Sequence, residues 1–409
     1  MPNFTFLHAA DLHLDSPLRG LDPEAPRERI RDATRQALVR LVDTALERRV
    51  GFVLLAGDLY DGAQKDWRCG QFLVQQLTRL TRDGIEIVAI RGNHDAESLL
   101  SAKLAVPGMM GSAAAETRLL KALPVAVHGQ SFATKAVRDN LAEAYPRAVP
   151  ERFNIGLLHT ACGLGGHENY APCSIEDLTR HGYDYWALGH VHARAVLSQD
   201  PWIVFPGVLQ GRHINEEGDK GATLVTVEGG RVKSAEHLSL DVLRWARLEV
   251  NLFGAPSIEA MLDRVRMALN EVVMLSDGRM LALRLHLFGA CPIHAELVQS
   301  PEATLQNIRA AAQETASQDE LWIEDVRIET TSPGIENLRE QPGVIGALIT
   351  ALERPATIDP GLMEFIKDQM KRTGELLDPS HPLHALMRGE VPAALEAQAR
   401  ALVIGELAK

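Results

Sequence analysis

Five short motifs rich in aspartate, asparagine and histidine lie within the first 192 residues. Each of them directly follows a run of apolar residues that is typical of a β-strand. The motifs are Asp11-Leu12-His13, Gly57-Asp58-Leu59-Tyr60-Asp61-Gly62, Gly92-Asn93-His94-Asp95, the single His159, and Gly189-His190-Val191-His192. Carboxylate, amide and imidazole groups suit Mn, Fe or Zn, whereas sites for soft metals use thiolates. The motifs therefore predict a site for divalent metal ions.

The spacing of the motifs favours a single shared site. Asp11 and His13 are two residues apart, so on an extended backbone both side chains would face the same way. Gly57, Gly92 and Gly189 would let the chain turn sharply where the strands end. Because ligands of α/β sheets gather outside the carboxyl ends of the strands, we expect all five motifs at one rim. Each motif alone is common in turns and cores, but their combination in this order favours a functional site.

The elements around the motifs are predicted to form two sheets. Strands are predicted at Phe4–Ala9, Phe52–Ala56 and Ile85–Ile90, with amphipathic helices at Arg27–Arg49 and Trp67–Leu80 between them. This βαβαβ order implies a mostly parallel, helix-covered sheet. Further short strands are predicted at Val125–His128, Phe153–His159, Tyr185–Leu188, Ala195–Leu197, Ile203–Phe205, Ala222–Val227 and Arg231–His237. Their number indicates a second sheet packed on the first.

The sequence divides into three predicted parts. Residues 1–240 carry all five motifs and form the predicted catalytic domain. Residues 243–332 follow a β-α-β-α-β pattern and are predicted as a small α+β accessory domain. Residues 336–409 show no strand pattern, contain several prolines and are predicted as a helical C-terminal region. The apolar spacing of that region suits burial on a partner protein or, as the alternative, on the second domain of the same chain.

Composition excludes several classes of protein. The 409 residues are 46% hydrophobic and 23% charged, which is typical of a globular protein and excludes a mainly disordered chain. No apolar run approaches the roughly 18 residues needed to span a bilayer, and the first residues lack the pattern of a signal peptide. The four cysteines form no CxxC pair and are too few for a disulfide scaffold. Reduced thiols, a cytoplasmic location and no membrane association are therefore expected.

The net charge of −12 argues at first sight against a nucleic-acid partner. Residues 1–240, however, carry 26 basic and 29 acidic groups, a net of −3, so most of the net negative charge lies in residues 241–409. Two divalent ions would add four positive charges to the catalytic domain. The charge therefore does not exclude DNA. It predicts that affinity depends on the metal site, on local basic patches and on a partner subunit.

The five motifs in this order resemble the calcineurin-like metallophosphoesterases over residues 4–240. The stretch from His159-Thr160 through Tyr185-Trp186-Ala187-Leu188-Gly189-His190-Val191-His192, and the stretch Phe205-Pro206-Gly207-Val208-Leu209-Gln210-Gly211-Arg212-His213, resemble the SbcD/YhaO-type DNA repair exonucleases. The YhaO-like branch is the most similar. This resemblance implies a four-layer α-β-β-α sandwich with a dinuclear site between the sheets. It also implies a nuclease subunit that works beside an SMC-like ATPase.

The resemblance implies a specific set of metal ligands. One ion would be held by Asp11, His13, Asp58 and His192. The other would be held by Asp58, Asn93, His159 and His190, so that Asp58 bridges the pair. The implied cofactor is two divalent ions, with Mn²⁺ favoured and Fe or Zn as alternatives.

The resemblance also implies roles for three residues that hold no metal. His94 matches a histidine of the family that protonates the leaving oxygen or stabilises the pentacovalent phosphate. Asp95 would orient His94, as carboxylates behind functional histidines commonly do. Asp61 lies where some relatives carry a histidine and would act on the phosphate side or in support.

Two further side chains carry alternatives. Arg212 would contact a phosphate or would pair with Glu216 or Glu217. His8 lies inside the first predicted strand and is interpreted as a structural histidine rather than a ligand.

The leading hypothesis is a dinuclear-metal-dependent phosphodiesterase that acts on DNA as an exonuclease in DNA repair, with an SMC-like ATPase as partner. One alternative keeps the metal site and changes the substrate to a small phosphodiester or phosphomonoester, because the ligands contact the phosphate and not what is attached to it. Another makes the chain chiefly an architectural subunit of a repair complex that docks through residues 336–409. A homodimer is left open.

Overall fold

The computed structural model describes residues 2–16, 25–61, 66–98, 104–163, 170–317 and 319–333, together with scattered positions between 361 and 403. The predicted helical region 336–409 lies outside the described residues apart from those scattered positions. Internal contacts divide the chain into two units. Residues 1–246 with 278–282 form the first unit, and residues 247–277 with 283–409 form the second.

The first unit contains most of the strands. Its elements in chain order are β1 Phe4–Ala9, α1 Arg27–Glu47, β2 Phe52–Ala56, α2 Trp67–Arg82, β3 Glu86–Ile90, α3 Asn93–Glu97, β4 Glu116–Leu119, β5 Val125–Gly129, β6 Phe153–His159, α4 Ile175–Thr179, β7 Tyr185–Gly189, β8 Ala195–Gln199, β9 Trp202–Phe205, β10 Gly221–Glu228 and β11 Arg231–Ser239. The predicted strands and helices of this region are present, with ends that shift by up to two residues. The strand β4 was not predicted, because its side chains are mostly exposed and form no apolar run.

These strands form two sheets. The five-stranded sheet has the order β11-β10-β1-β2-β3, with β1, β2 and β3 parallel and β10 antiparallel to β1. The six-stranded sheet has the order β4-β5-β6-β7-β9-β8, with β5, β6, β7 and β9 parallel. The strands that precede the five motifs are therefore parallel within each sheet, and their carboxyl ends lie on one side of it.

Aromatic side chains fill the space between the two sheets. Phe6 stacks on Phe52 within the first sheet, with ring centroids 4.7 Å apart. Across the sheets, Phe4 meets Phe153 at 5.6 Å and Phe6 meets Tyr185 at 5.3 Å, both edge to face. Each such pair adds about 0.5–1.5 kcal/mol to the burial of its rings. This core holds the two sheets face to face.

Helices cover the outer faces of both sheets. The first sheet is covered by α1 and α2, whose buried stripes include Leu38 and Leu77. On the second sheet Trp186 packs among Tyr145 and Leu178 of α4, and its indole nitrogen donates to the Leu178 carbonyl at 3.1 Å. The predicted four-layer α-β-β-α sandwich is confirmed, with a thinner helical layer on the second sheet than on the first.

The second part of the fold is a small α+β arrangement, as predicted. It comprises β12 Leu243–Asn251, α5 Ile258–Met274, β13 Met280–Ala290, α6 His294–Gln299, α7 Pro301–Thr315 and β14 Leu321–Thr331. The three strands form one sheet in the order β12-β13-β14. The predicted β-α-β-α-β order is present, with the short α6 as an addition. Among the described residues, no helix is long and apolar enough to cross a membrane.

Candidate metal centre

The predicted site residues meet at the carboxyl ends of five strands. Three groups of side chains have ligand atoms within 4.8 Å of one another: Asp11, His13 and His192; His13, Asp58 and His94; and Asp11, Asp58 and His159. Asn93 joins them through its Oδ1, which lies 2.9 Å from His159 Nε2. His190 joins them through its backbone N–H, which donates to both Asp11 carboxylate oxygens at 3.1 Å. Six of the seven predicted ligands therefore bring side-chain donor atoms into one cluster, and His190 contacts it through its backbone.

The backbone at these positions is unusual. Asp11, His13, Asp58 and His190 have φ angles of 51°, 41°, 52° and 100°, in the left-handed region that L-residues rarely occupy. The expectation that Asp11 and His13 share a face of an extended strand is therefore wrong, because β1 has already ended. The two turns are held together instead by the His13 N–H, which donates to the Asp58 carbonyl at 3.0 Å.

Glycines make room for this crowding, as the sequence indicated. A Cβ on Gly57, which has φ +91°, would lie 2.6 Å from His159 Nδ1. A Cβ on Gly92 would lie 2.3 Å from Asp58 Oδ1 and 2.7 Å from His159 Cε1. Any larger residue at either position would displace a predicted ligand.

His159 is buried and fixed by the backbone of the neighbouring sheet. Its Nδ1 donates to the Ala56 carbonyl at 2.9 Å, so Nε2 carries the lone pair of the neutral ring. Burial lowers the pKa of His159 to about 3, which keeps the ring neutral. Its Nε2 then faces the Asn93 amide oxygen at 2.9 Å and an Asp58 carboxylate oxygen at 3.5 Å. Three electron-pair donors converge on one point, which is the arrangement that a cation requires.

His192 is oriented by a carboxylate that no motif contained. Its Nδ1 lies 2.7 Å from Glu216 Oε1, and its Nε2 lies 3.2 Å from His13 Nε2. Glu216 is in turn bound by Arg212 through paired contacts of 2.7 and 3.2 Å. The pairing of Arg212 with Glu216 was one of the two alternatives left open by the sequence. The contact with His192 was not foreseen, because 24 residues separate the two side chains.

The charges of the cluster fit divalent cations. Asp11 and Asp58 are both buried, and burial raises the pKa of Asp58 to about 6. Burial and then the nearby Asp58 charge raise the pKa of Asp11 as well. Burial lowers the pKa of His13, whose Nδ1 has no hydrogen-bond partner among the described residues. Neutral imidazoles beside two crowded carboxylates leave negative charge and unused lone pairs, which two metal ions would satisfy.

His94 lies at the edge of the cluster and is partly exposed. Its Nδ1 is 2.9 Å from Asp61 Oδ1, and Ser16 Oγ donates to Asp61 Oδ2 at 2.6 Å. Partial burial opposes ionisation of the His94 ring, but the hydrogen bond to Asp61 and the Asp58 charge raise its pKa overall. Burial likewise disfavours the Asp61 anion, yet its bonds to His94 and Ser16 hold the pKa of Asp61 well below the usual range. His94 and Asp61 therefore form a hydrogen-bonded pair that favours a protonated imidazole and an ionised carboxylate.

The predicted role of Asp95 in orienting His94 is wrong. Its carboxylate accepts hydrogen bonds from the backbone N–H groups of Leu59, Tyr60 and Gly92 at 3.0–3.1 Å. Adjacent residues of a helix point in different directions, and Asp95 reaches back to the helix start instead of towards its neighbour. Asp95 therefore ties the turn after β2 to the turn after β3, while Asp61 supports His94.

His8 is a structural residue, as interpreted from the sequence. It is fully buried, and its ring nitrogens bond the Tyr185 hydroxyl at 3.0 Å and the Leu188 carbonyl at 3.1 Å. Both of its nitrogens are therefore engaged within the core, away from the cluster.

Known proteins share this sequence pattern. The family model described as calcineurin-like phosphoesterase matches residues 4–194, and the model described as metallophosphoesterase YhaO, middle domain, matches residues 245–331. The uncharacterized metallophosphoesterase YhaO of Bacillus subtilis is 34% identical over 369 residues, which cover 87% of this chain and 88% of that protein. The chain belongs to the YhaO-type calcineurin-like metallophosphoesterases.

This metallophosphoesterase also resembles archaeal proteins at lower identity. A DNA double-strand break repair protein Mre11 of Sulfurisphaera tokodaii is 26% identical over 261 residues, covering 59% of this chain and 64% of that protein. The protein of the same name in Sulfolobus acidocaldarius is 25% identical over 329 residues, covering 74% and 79%.

Family membership gives the cluster its chemistry. A YhaO-type metallophosphoesterase is a phosphoester hydrolase, and the calcineurin-like fold together with the convergent side chains supports two metal ions. The sequence motifs indicate where these side chains gather, because each motif follows a buried strand. Glu216 was missed because it follows no such strand; the only signal was its i,i+4 spacing from Arg212, which indicates no more than an ion pair.

Proposed function

We propose that this metallophosphoesterase is a metal-dependent nuclease that hydrolyses DNA phosphodiesters, acting as an exonuclease in DNA repair beside an SMC-like ATPase in the cytoplasm. The hydrolytic part rests on one observation, the convergence of carboxylate, amide and imidazole donors beside the partly exposed His94. The choice of DNA is supported by the relatives that are named as DNA double-strand break repair proteins.

The side chains of the cluster divide into two proposed sets. Asp11, His13 and His192 would hold one ion, and Asn93, His159 and His190 the other, with Asp58 shared between them. When bound, two such ions would polarise a phosphoryl oxygen and lower the pKa of a water molecule, which supplies the nucleophile. We propose Mn²⁺ as the native ion, with Fe or Zn as alternatives, since the donors are oxygen and imidazole nitrogen.

His94 is the proposed proton donor to the leaving oxygen. The His94 side chain is 34% exposed, so one edge of its ring can reach a substrate while Nδ1 remains hydrogen-bonded to Asp61. The Asp61 carboxylate, itself held by Ser16, keeps the ring oriented and stabilises its protonated form. A histidine with its charge supported in this way is suited to general acid catalysis near neutral pH.

The test compares DNA with small phosphoesters. Purified full-length protein with Mn²⁺ would be given end-labelled linear duplex DNA, closed circular DNA, a bis(p-nitrophenyl) diester and a p-nitrophenyl monoester. We expect cleavage of the linear DNA and the diester, with loss of the terminal label first, and much slower cleavage of the linear DNA by His94→Gln. Turnover of the small esters without any cleavage of DNA would contradict the nuclease proposal and favour a small-molecule phosphodiesterase or phosphatase.

The ATPase partner is tested separately. Co-purification of the full chain with an SMC-like ATPase from the same cell, and its loss when residues 336–409 are deleted, would support docking through that region. Association that is unchanged by the deletion would contradict docking there. Loss of association together with full retention of nuclease activity would separate the architectural role from the catalytic one.

A further inference from the structure

Glu216 is a buried carboxylate beside the metal centre, and all of its acceptor capacity is used. Its side chain is only 5% exposed. Oε1 accepts hydrogen bonds from His192 Nδ1 and from Arg212 Nη2, both at 2.7 Å. Oε2 accepts from the Arg212 backbone N–H at 2.9 Å and from Arg212 Nε at 3.2 Å. Such a paired contact with a guanidinium fixes both the position and the plane of the carboxylate.

The fixed carboxylate determines which nitrogen of His192 is available. Because Nδ1 donates its hydrogen to Glu216, the neutral ring keeps its lone pair on Nε2. That nitrogen faces His13 Nε2 at 3.2 Å and lies in the group that includes Asp11. The His192 side chain is 31% exposed, so packing alone does not hold its ring. The hydrogen bond to Glu216 supplies the missing constraint.

The local backbone is built to place this carboxylate. Glu216 ends a one-turn 3₁₀ helix, Ile214–Glu216, and its N–H donates to the His213 carbonyl at 2.8 Å. The chain passes so close that a Cβ on Gly211 would lie 2.6 Å from the Glu216 carbonyl oxygen. The arrangement is therefore a closed turn in which Arg212 and Glu216 are clamped onto each other.

We propose that Glu216 is a positioning residue for one ion of the pair, the one that Asp11, His13 and His192 would hold, and that Arg212 locks Glu216 in place. The inference rests on the two-metal centre of the proposed function but not on DNA as the substrate. It predicts that a substitution of Glu216 weakens the binding of that ion and leaves the binding of the other ion unchanged. His159, on the side of the other ion, is fixed by the Ala56 carbonyl and does not depend on Glu216.

The experiment measures Mn²⁺ binding to the full chain by calorimetry and electron paramagnetic resonance. The wild type, Glu216→Gln and the control Glu217→Gln are compared; Glu217 is the adjacent, exposed glutamate. In Glu216→Gln we expect the affinity for one ion to fall by about 10- to 100-fold, with the second ion unaffected. Hydrolysis of the bis(p-nitrophenyl) diester should fall at low Mn²⁺ and recover at saturating Mn²⁺. Glu217→Gln should bind both ions as the wild type does.

A double-variant comparison identifies the route of the effect. If Glu216 acts through His192, adding Glu216→Gln to His192→Gln should leave Mn²⁺ affinity at the value of His192→Gln alone. Additive losses would overturn the proposal, as would unchanged affinities or an equal fall in both ions in the single variant. Failure to cleave DNA would contradict the proposed nuclease function and leave these binding results standing.

Discussion

His159 and His192 are fixed by different means on two sides of one metal centre. The buried side consists of His159, Asn93 and the Ala56 carbonyl, and its histidine is held by the backbone. The other side, called the exposed side because His192 is partly exposed, consists of His192 with the buried Glu216 and the largely buried Arg212. Its histidine is held by a side chain. The Ala56 carbonyl remains as an acceptor when the Ala56 side chain is changed, whereas the carboxylate acceptor is lost when Glu216 is substituted. The two sides should therefore respond to different mutations.

Asp58 is common to both sides, so its loss should have the largest effect. Its Oδ2 lies 3.5 Å from His159 Nε2 and 3.8 Å from His13 Nε2. We expect Asp58→Asn to lose both ions, because the negative charge of the carboxylate that they would share is removed. Diester hydrolysis should then fall by on the order of 1,000-fold. Metal analysis and steady-state turnover measure this, with the exposed Asp263→Asn as control. Retention of both ions would contradict the shared role of Asp58.

His94 belongs to neither side, so its loss should separate catalysis from metal binding. We expect His94→Gln to lower kcat by about 100-fold and Asp61→Asn by about tenfold, with both ions still bound. If His94 protonates the leaving oxygen, a diester with a p-nitrophenolate leaving group should lose less rate than one with an alkoxide. An equal loss for both leaving groups would contradict that role.

Gly92→Ala should damage the buried side. The new Cβ would meet Asp58 Oδ1 at 2.3 Å and His159 Cε1 at 2.7 Å, so overpacking should lower the free energy of unfolding by about 1–3 kcal/mol. The ion on the buried side should be lost first. Gly84→Ala is the control for destabilisation away from the centre: its Cβ would meet nothing within 4 Å, but its φ of +82° strains an alanine there, whereas Gly92 has φ −94°. Urea unfolding and Mn²⁺ titration measure the two effects, and equal metal loss in both variants would argue against a local cause.

Arg212→Lys should give the smallest change and only on the exposed side. Lysine keeps the charge but loses the paired contacts of 2.7 and 3.2 Å with Glu216. We expect Mn²⁺ affinity for one ion to fall by about threefold, since the hydrogen bond between His192 and Glu216 remains. Calorimetric titration measures it. A change confined to the other ion would reverse the assignment of the two sides.

The sequence was sufficient for the elements that bury a regular apolar pattern. β1, β2 and β6 were predicted at the bounds that the structure shows, because each is a fully or almost fully buried run that ends in a polar motif. The exposed β4 was missed because its pairing with β5, not its own composition, makes it a strand. Regular periodicity thus located the rim where the motifs gather.

The details of the centre depended on contacts between distant residues, and sequence reasoning did not reach them. Glu216 lies in a turn and is brought to His192 only by the folding of the chain between them. Asp95 is adjacent in sequence to His94, the residue that it was predicted to orient. Its carboxylate instead accepts hydrogen bonds from three backbone amides. Asp61, whose role was the least defined, proved to be the carboxylate that supports His94. The ends of the strands therefore indicate which residues are ligands, whereas the orientation of the side chains depends on tertiary contacts.

The left-handed backbone at four site residues limits how far this protein can be made more thermostable. These residues are Asp11, His13, Asp58 and His190. Non-glycine residues held in that region cost about 1 kcal/mol or more each, and glycine would relieve the cost. A selection that rewards heat resistance alone would therefore favour glycine at these four positions. The survivors would keep the sandwich and lose the centre, so directed evolution of this enzyme must screen for phosphoester hydrolysis in every round.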